Sequence, residues 1–190
     1  MHVQFNYPTT FVVHGENGKV YNSTFKENTA QNGAAVYWTG TNGIIDGSKF
    51  IENEANKGGA VYWNNITQTA TYVTKTAVYN KTVSAGQNGL ISNSVFFNNH
   101  AVGSDALGGA LYWNTSSSDV VDATFLNNTA RLGGAVYWTN GKSIKESTFR
   151  YNKATNHGAA LIVDSIKNRK DGGRGGDICN FGNAIITNTT

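Results

Sequence analysis

One pattern recurs five times along this chain, and it constrains the fold more than any other feature of the sequence. Each unit has a Phe, with an Asn three residues later and an Ala five residues later. A small residue lies two positions before the Phe, and a branched aliphatic residue lies five before it. The Phe residues are Phe25, Phe50, Phe96, Phe125 and Phe149. Internal repetition of this kind indicates a repeat architecture.

The second half of each unit is a short phrase of small residues followed by an apolar pair or triplet. It reads GAAVYW from Gly33, GGAVYW from Gly58, GGALYW from Gly108, GGAVYW from Gly133 and a degenerate HGAALI from His157. Successive Phe residues are 25, 46, 29 and 24 positions apart, so the basic period is 24–25 residues. Four extra residues between Ala101 and Leu107 account for the step of 29, and an insertion at residues 64–89 accounts for the step of 46.

The composition of the units favours strands over helices. They are rich in Val, Ile, Tyr, Trp, Phe and Thr, and Asn-Gly turn dipeptides separate them. Neither a pair of amphipathic helices nor the Leu ladder of a leucine-rich repeat is visible in the sequence. A period in the low twenties therefore predicts an all-β fold, a parallel β-helix of about six or seven coils. With coils stacked at strand spacing, the rod is on the order of 30 Å long.

Stacked coils turn each recurring position into a column of side chains. We expect the Phe column to lie inside the coil as an aromatic ladder. We expect the Asn column to lie at a bend, where each side-chain amide bonds the next coil. The glycine pair is expected to permit a sharp turn. The Asn residues of this column are Asn28, Asn53, Asn99, Asn128 and Asn152.

The adjacent aromatic residues of the glycine phrase must point to opposite faces of their strand. The Val or Leu before the Tyr shares its face with the Trp, and an aliphatic column belongs in the interior. We therefore expect the Trp column to close the interior and the Tyr column to face outward. The outward column would be a partly exposed aromatic ladder made of Tyr37, Tyr62, Tyr112 and Tyr137.

The domain organisation follows from these repeats. Residues 1–163 are predicted to form the β-helix, and residues 164–190 an irregular Gly-rich and charged loop that ends in a strand around AIITNTT. The insertion at 64–89 is either a diverged extra coil or a protruding hairpin, and its surplus length of nearly one period favours the coil. The chain opens inside a coil, so we expect it to be a piece of a longer repeat protein or the product of an incomplete gene, because solenoids need capped ends.

Charge and composition exclude several functions. The net charge of +3 is too weak and too scattered for nucleic-acid binding, and the basic run at 167–176 is expected to be a solvated loop. Cys179 is the only cysteine, so no intramolecular disulfide is possible. No segment is long and apolar enough to predict a membrane span, and the first residues do not have the pattern of a signal peptide.

The paired motifs FxxN and GGA(I/L/V) resemble the repeats of chlamydial polymorphic membrane proteins. The fuller form, GGA(I/V)YW followed by Asn-Gly and then S-x-F-x-x-N-x-A, resembles the adhesin-like surface proteins of methanogenic archaea. The resemblance covers about residues 11–163. It implies a right-handed parallel β-helix that is exported to the cell surface and adheres to cells or polysaccharides. These are scaffold motifs, so the resemblance implies no catalytic residue.

An enzyme is the alternative to be weighed, because many parallel β-helices, the pectin lyase-like ones among them, cleave polysaccharides. Hydrolysis needs two carboxylates across a groove, and a lyase needs acids that hold Ca²⁺ together with a base. Glu27 and Glu52 share the column two residues after the Phe, and we interpret them as a solvated turn. The histidines occupy different columns and show no metal-ligand spacing. We predict no catalytic residue, metal or cofactor.

Two further functions remain open after the enzyme is set aside. The favoured hypothesis is a surface adhesin segment that binds polysaccharide or cell-surface glycans, with the exposed aromatic faces of the Tyr column as a flat platform for sugar rings. A passive spacer rod is the alternative, because a rod needs only the scaffold columns. Both hypotheses place the chain at the cell surface or outside the cell.

Overall fold

The fold is a stack of short parallel strands, as the repeat predicts. The computed structural model describes residues 4–5, 11–13, 15–73, 78–115, 117–139, 142–158, 161–164, 178–180, 185–187 and 189. Every regular element in these residues is a β-strand. The strands form four parallel sheets and one separate antiparallel pair. Because consecutive strands of the chain belong to different sheets while equivalent strands pair in parallel, the fold is a parallel β-helix.

We name the four sheets after the column that each one carries inward. The aliphatic sheet consists of Lys19–Tyr21, Ile44–Asp46, Leu90–Ser92, Asp119–Val121, Ser143–Lys145 and Ile185–Thr187. The phenylalanine sheet consists of Gln4–Phe5, Thr24–Lys26, Lys49–Ile51, Val95–Phe97, Thr124–Leu126 and Thr148–Arg150. The alanine sheet consists of Glu54–Ala55, His100–Ala101, Thr129–Leu132 and Lys153–His157. The tryptophan sheet consists of Phe11–Val13, Val36–Trp38, Val61–Asn64, Leu111–Asn114, Val136–Thr139, Leu161–Asp164 and Ile178–Asn180.

Single residues in the left-handed region bend the chain between sheets. The bend before the phenylalanine sheet has φ between 47° and 59°, at Asn22, Gly47, Asn93, Asp122 and Glu146. The bend after it recurs two residues beyond each Phe, with φ near 55°. Asn, Asp and Gly tolerate this conformation best, because a short polar side chain or a missing Cβ relieves the clash with the backbone. The bends therefore explain much of the Asn and Gly content of the sequence.

The first Gly of the repeated phrase makes the turn into the tryptophan sheet. Gly58 has φ of 57°, and a Cβ on it would lie 2.0 Å from the carbonyl oxygen of Val61. The second Gly is required for a different reason. A Cβ on Gly59 would lie 2.0 Å from the carbonyl oxygen of Gly109 in the next coil, so coils can stack closely there only without a side chain.

The interior consists of stacked identical side chains. Neighbouring Phe rings lie 4.7–5.1 Å apart between centroids with nearly parallel planes. Neighbouring Trp rings lie 4.5–5.6 Å apart. The Val or Leu that precedes each Tyr is fully buried, and so is each Trp that follows it. The alternation argument thus gives the orientation that the structure has, with Trp inside and Tyr on the outer side.

The Asn column forms a buried chain of hydrogen bonds along the axis. The Nδ2 of Asn99 donates to Oδ1 of Asn128 at 2.9 Å and to the carbonyl oxygen of Phe50 at 3.0 Å. Its Oδ1 accepts from the backbone N–H and the Nδ2 of Asn53, at 3.1 and 2.9 Å. The same pattern runs from Asn28 through Asn152. Each buried amide is therefore satisfied by its neighbours, as buried polar groups must be.

The column of small residues contributes a second set of bonds that the sequence did not reveal. Ser48 Oγ donates to the carbonyl oxygen of Asp46 at 3.1 Å and accepts from the backbone N–H of Ser23 at 3.2 Å. Ser94 repeats both contacts one coil later. The sequence indicates only that small residues make room for Phe, whereas the hydroxyls also hold the bend before the phenylalanine sheet.

The insertion is a β-hairpin, and the expectation of an extra coil is wrong. Ile66–Val73 pairs antiparallel with Val78–Ala85, from Ile66 opposite Ala85 to Val73 opposite Val78. These two strands form a sheet of their own in the part of the chain that the structure describes. The length of the insertion matched one period by coincidence, because a hairpin of two eight-residue strands with its turn uses nearly the same number of residues.

Beyond the last clear repeat, two short strands continue existing sheets. Ile178–Asn180 pairs with Leu161–Asp164, and Ile185–Thr187 pairs with Ser143–Lys145. Ile186 packs against the main core. The basic run at 167–176 lies outside the described residues. Among the residues that the structure describes, no helix is long and apolar enough to cross a membrane.

Candidate functional site

The tyrosine column lies on the outer side of the tryptophan sheet. Tyr37, Tyr62, Tyr112 and Tyr137 are in register on adjacent strands. The first three are half-buried, whereas Tyr137 is only 3% exposed. The outward ladder therefore presents accessible side chains over three coils and is covered at the fourth.

The tyrosine rings stack on one another, which alters what they offer to a ligand. Their centroids are 5.1, 4.8 and 5.7 Å apart along the ladder, with interplanar angles of 16°, 6° and 3°. The faces of Tyr62 and Tyr112 are thus occupied by neighbouring rings. The expected platform of exposed faces is wrong, because strand spacing equals the spacing of stacked rings and identical rotamers meet face to face. The ladder instead presents ring edges and a row of phenol hydroxyls.

A second column of residues lies beside this ladder. Asn32, Lys57, Leu107 and Leu132 are bridged in parallel at the end of the alanine sheet. Leu107 and Leu132 pack against Tyr137, together with Tyr112. Side chains of the two columns contact each other, so the columns form one strip of outer surface, and we name this strip the tyrosine groove. By register, the groove has polar residues beside Tyr37 and Tyr62, and apolar residues beside Tyr112 and Tyr137.

Burial in this groove changes the acidity of its central hydroxyl. Desolvation raises the pKa of Tyr62 to about 12, with a further contribution from the neighbouring Tyr112 and Tyr37 hydroxyls. Tyr62 is therefore a neutral phenol at physiological pH. It can donate one hydrogen bond and accept others, which suits recognition of sugar hydroxyls and does not suit a general base.

Two pairs of acids each share a column on a bend at the surface, Glu27 with Glu52 and Asp122 with Glu146. Glu27 and Glu52 have φ of 56° and 55°, and Lys26 Nζ lies 2.6 Å from Glu27 Oε1 and 3.8 Å from Glu52 Oε2. The hydrogen bond from Lys26 and its charge lower the pKa of Glu27. The arrangement is a surface ion pair on a turn, and it does not set two carboxylates across a groove.

Two further acids, Asp46 and Asp119, are held by contacts within the scaffold. Asp46 Oδ1 accepts hydrogen bonds from Asn93 Nδ2 at 2.8 Å and from Ser92 Oγ at 2.7 Å, and these bonds lower its pKa. Asp119 Oδ2 pairs with Lys142 at 3.2 Å. Within the described residues, no three His, Cys, Asp or Glu side chains are grouped as metal ligands.

One cleft was not indicated by any motif in the sequence. It is an open depression at the alanine sheet with a volume of about 390 Å³. Its lining residues are Ala101, Gly103, Ala106, Thr129, Ala130, Arg131, Lys153 and Thr155. The only sequence signal at this place is the four-residue excess between Ala101 and Leu107, which forms one wall.

Comparison with known proteins gives one local similarity. Residues 122–137 match the Chlamydia polymorphic membrane protein repeat. The matched segment contains Phe125, Asn128, the glycine pair from Gly133 and Tyr137, and all of these belong to columns of the β-helix. No curated protein and no solved structure shows a significant match to the chain.

Proposed function

We propose that this chain is a non-catalytic, adhesin-like repeat segment of a cell-surface protein, and that it binds polysaccharide or cell-surface glycans along the tyrosine groove. The observation that carries the proposal is the half-buried Tyr37–Tyr62–Tyr112 ladder, on a scaffold whose repeat is similar to that of a membrane protein family. The motif resemblance to archaeal adhesin-like proteins agrees with the same role.

The chemistry of the groove supports a glycan as the ligand. Phenol hydroxyls can exchange hydrogen bonds with sugar hydroxyls, and the ring edges contribute apolar area beside them. Asn32 and Lys57 add an amide and a cation in the same groove. Recurrence at the coil spacing suits an extended ligand with a repeating structure.

The proposal is tested by retention of the purified chain on a panel of insoluble polysaccharides, with reducing ends assayed in the same tubes. We expect retention without new reducing ends. The triple variant Tyr37→Phe, Tyr62→Phe and Tyr112→Phe keeps the stacked rings and removes the hydroxyls, so it should fold and lose retention. Tyr21→Phe with Tyr151→Phe is the matched control, because these exposed tyrosines lie outside the groove.

Three results would contradict the proposal. New reducing ends would show an enzyme, and equal retention of both variants would remove the tyrosine groove as the site. No retention of the parent chain on any polysaccharide would favour a passive spacer. The spacer is the second candidate because the segment that matches the repeat family consists of scaffold positions, and because Tyr137 within it is buried.

A further inference from the structure

The outer face of the phenylalanine sheet has an apolar stripe on three consecutive coils. Each repeat Phe packs in the main core, so the residue after it points outward by the alternation of a strand. On three coils that residue is apolar and half-buried, and we call these residues the apolar stripe: Ile51, Phe97 and Leu126. They are in register on paired strands. Part of each side chain stays exposed to water, so a partner can bury the stripe further.

Charged residues flank one long side of the apolar stripe. One coil before the stripe, Lys26 occupies the same column, and its Nζ lies 2.6 Å from Glu27 Oε1 and 3.8 Å from Glu52 Oε2. One cation with two carboxylates leaves one negative charge there. One coil beyond the stripe, Arg150 occupies the same column and is exposed. This side is therefore acidic at one end and basic at the other.

The other long side has the opposite order of charges. Lys49 points outward two residues before Ile51, on the same strand. Asp122 lies at the bend before the strand of Leu126, with φ of 49°. Both are exposed, and neither forms an ion pair with another residue that the structure describes. Here the cation lies on the coil of Ile51 and the acid on the coil of Leu126.

The apolar stripe matches itself when a second copy lies antiparallel on the first. A two-fold axis along the strand of Phe97 reverses the order of the coils and keeps each column opposite itself. Phe97 then meets the Phe97 of the second copy, and Ile51 meets its Leu126. A parallel arrangement would exchange the two outward columns of this sheet and set Ile51 against Lys49. The apolar match therefore requires antiparallel copies.

The same axis brings opposite charges together on both sides. Arg150 of the second copy lies over the acidic end, beside Glu27 and Glu52, and Lys49 faces Asp122 of the second copy. The positions agree along the rod, because the members of each pair lie equally far from the axis, two coils for the first pair and one coil for the second. Complementary charges of this kind fix the register of a contact.

We propose that the apolar stripe is a contact surface for a second copy of this chain, bound antiparallel about a two-fold axis at Phe97. The stripe and its charged ends span five coils, about 19 Å. A face of that length and one sheet wide buries less than the roughly 1,600 Å² of a stable complex, so the contact forms when copies are concentrated. Copies on two facing cell surfaces would meet in this orientation, and that step alone rests on the proposed function.

The test is sedimentation velocity of the purified chain at concentrations from about 10 µM to about 1 mM. We expect a monomer–dimer equilibrium without larger species, because a two-fold contact closes on itself. The dissociation constant should rise with salt, since exposed charge pairs are screened. A chain that sediments as a monomer at the highest concentration overturns the proposal.

Phe97→Thr tests the centre of the stripe. It removes an apolar ring from both copies while Thr suits a strand, so the dissociation constant should rise at least about tenfold. Leu90→Thr is the matched control, because Leu90 is also half-buried and belongs to the same coil but lies on the aliphatic sheet. It should change the dissociation constant less than about twofold. Equal losses in both variants would assign the association to apolar surface in general and overturn the proposal.

A charge exchange tests the orientation and decides the matter if Phe97→Thr does not fold. Lys49→Glu should weaken the dimer, and adding Asp122→Lys should restore it, because the pair forms again with reversed signs. Glu146 shows that this bend accepts a longer side chain, at φ of 50° in the same column. Lys49→Glu with Glu16→Lys is the control, since it restores the net charge at an exposed position away from the stripe. Restoration by both additions alike would contradict the antiparallel contact.

Failure of this proposal and failure of the proposed function give different results. The phenylalanine triple variant of the tyrosine groove should dimerise as the parent chain does. Phe97→Thr should be retained on polysaccharide as the parent chain is. Dimerisation lost in the triple variant, with Phe97→Thr unaffected, would place the contact at the tyrosine groove and overturn the proposal.

Discussion

Removing the Asn99 side chain is expected to destabilise the protein by about 4 kcal/mol. Asn99 is fully buried in the middle of its ladder, and its side chain makes four hydrogen bonds to Asn53, Asn128 and Phe50. Each buried hydrogen bond contributes about 1 kcal/mol net, and buried groups left without a partner cost more. Asn99→Ala removes all four hydrogen bonds and supplies no new partner for the groups of Asn53, Asn128 and Phe50 that made them.

The assay is equilibrium unfolding in urea, followed by the fluorescence of the buried tryptophan column. Asn56→Ala is the control, because Asn56 is exposed and has an ordinary backbone conformation, and it should cost less than about 0.5 kcal/mol. Asn99→Asp keeps the shape of the side chain but replaces the donor with an oxygen. It should therefore destabilise at least as much as the alanine variant, which separates hydrogen bonding from packing.

This reasoning is refuted if Asn99→Ala lowers the free energy of unfolding by less than about 1 kcal/mol, because four buried hydrogen bonds together contribute more than that. Such a result would mean that stacking of the Phe and Trp columns alone holds the bend. A stable Asn99→Asp variant would contradict it separately. The amide would then not be needed as a donor along the axis.

Four further outcomes are expected. Gly59→Ala should cost more than about 3 kcal/mol in chemical unfolding, because its Cβ meets backbone of the next coil at 2.0 Å, whereas Gly15→Ala meets nothing within 4 Å and should be nearly neutral. Tyr62 should ionise at a pH of about 12 in an alkaline absorbance titration. The free energy of unfolding linked to its raised pKa is present below the ordinary tyrosine pKa and is lost as pH rises through about 12. Tyr62→Phe should abolish both the absorbance change at that pH and this loss of stability. Asp46 has a lowered pKa, so its contribution to the free energy of unfolding is present above the ordinary Asp pKa and is lost as pH falls below it. Asp46→Asn should therefore reduce the pH dependence of the free energy of unfolding in the acid range. Replacing 66–85 with a two-residue turn should leave the melting temperature within a few degrees, because the ends of the hairpin are paired with each other; unfolding of that variant would show that the hairpin supports the coils.

The anchoring of the hairpin supports the last of these predictions. Asn65 donates its backbone N–H to the carbonyl oxygen of Asn114 at 2.7 Å, and Gly86 donates to Oγ1 of Thr41 at 3.0 Å. Both residues that flank the hairpin are therefore held by neighbouring coils. A short replacement turn needs only to join two ends that are already in place.

Much of the architecture could be predicted because a solenoid repeats each environment. When Phe50 and Phe96 occupy the same column, the neighbour of each is another Phe at strand spacing, so one column assignment predicts every contact in it. The orientation of Tyr and Trp followed in the same way from the alternation of a strand. The predicted cell-surface role stays a proposal, because scaffold columns carry no information about ligand or location.

Features that depend on space between columns were not predictable from the sequence. The insertion at 64–89 had the length of a coil, and only the antiparallel pairing of its two halves distinguishes the hairpin. The stacking of the tyrosine faces depended on a shared rotamer, which the sequence does not specify. The serine bonds depended on a hydroxyl reaching a carbonyl two residues earlier across a left-handed bend.

The sequence by itself determined the period, the strand content, the inward columns and the amide ladder, because each of these needs only contacts between identical residues in adjacent coils. The tertiary structure alone decided the groove beside Tyr37 and Tyr62 and the cleft of Arg131 and Lys153. Both are formed by different columns that meet where the chain bends or where a loop leaves the coil. Their shape therefore depends on bend angles and on the path of an insertion, and no repeating contact encodes either.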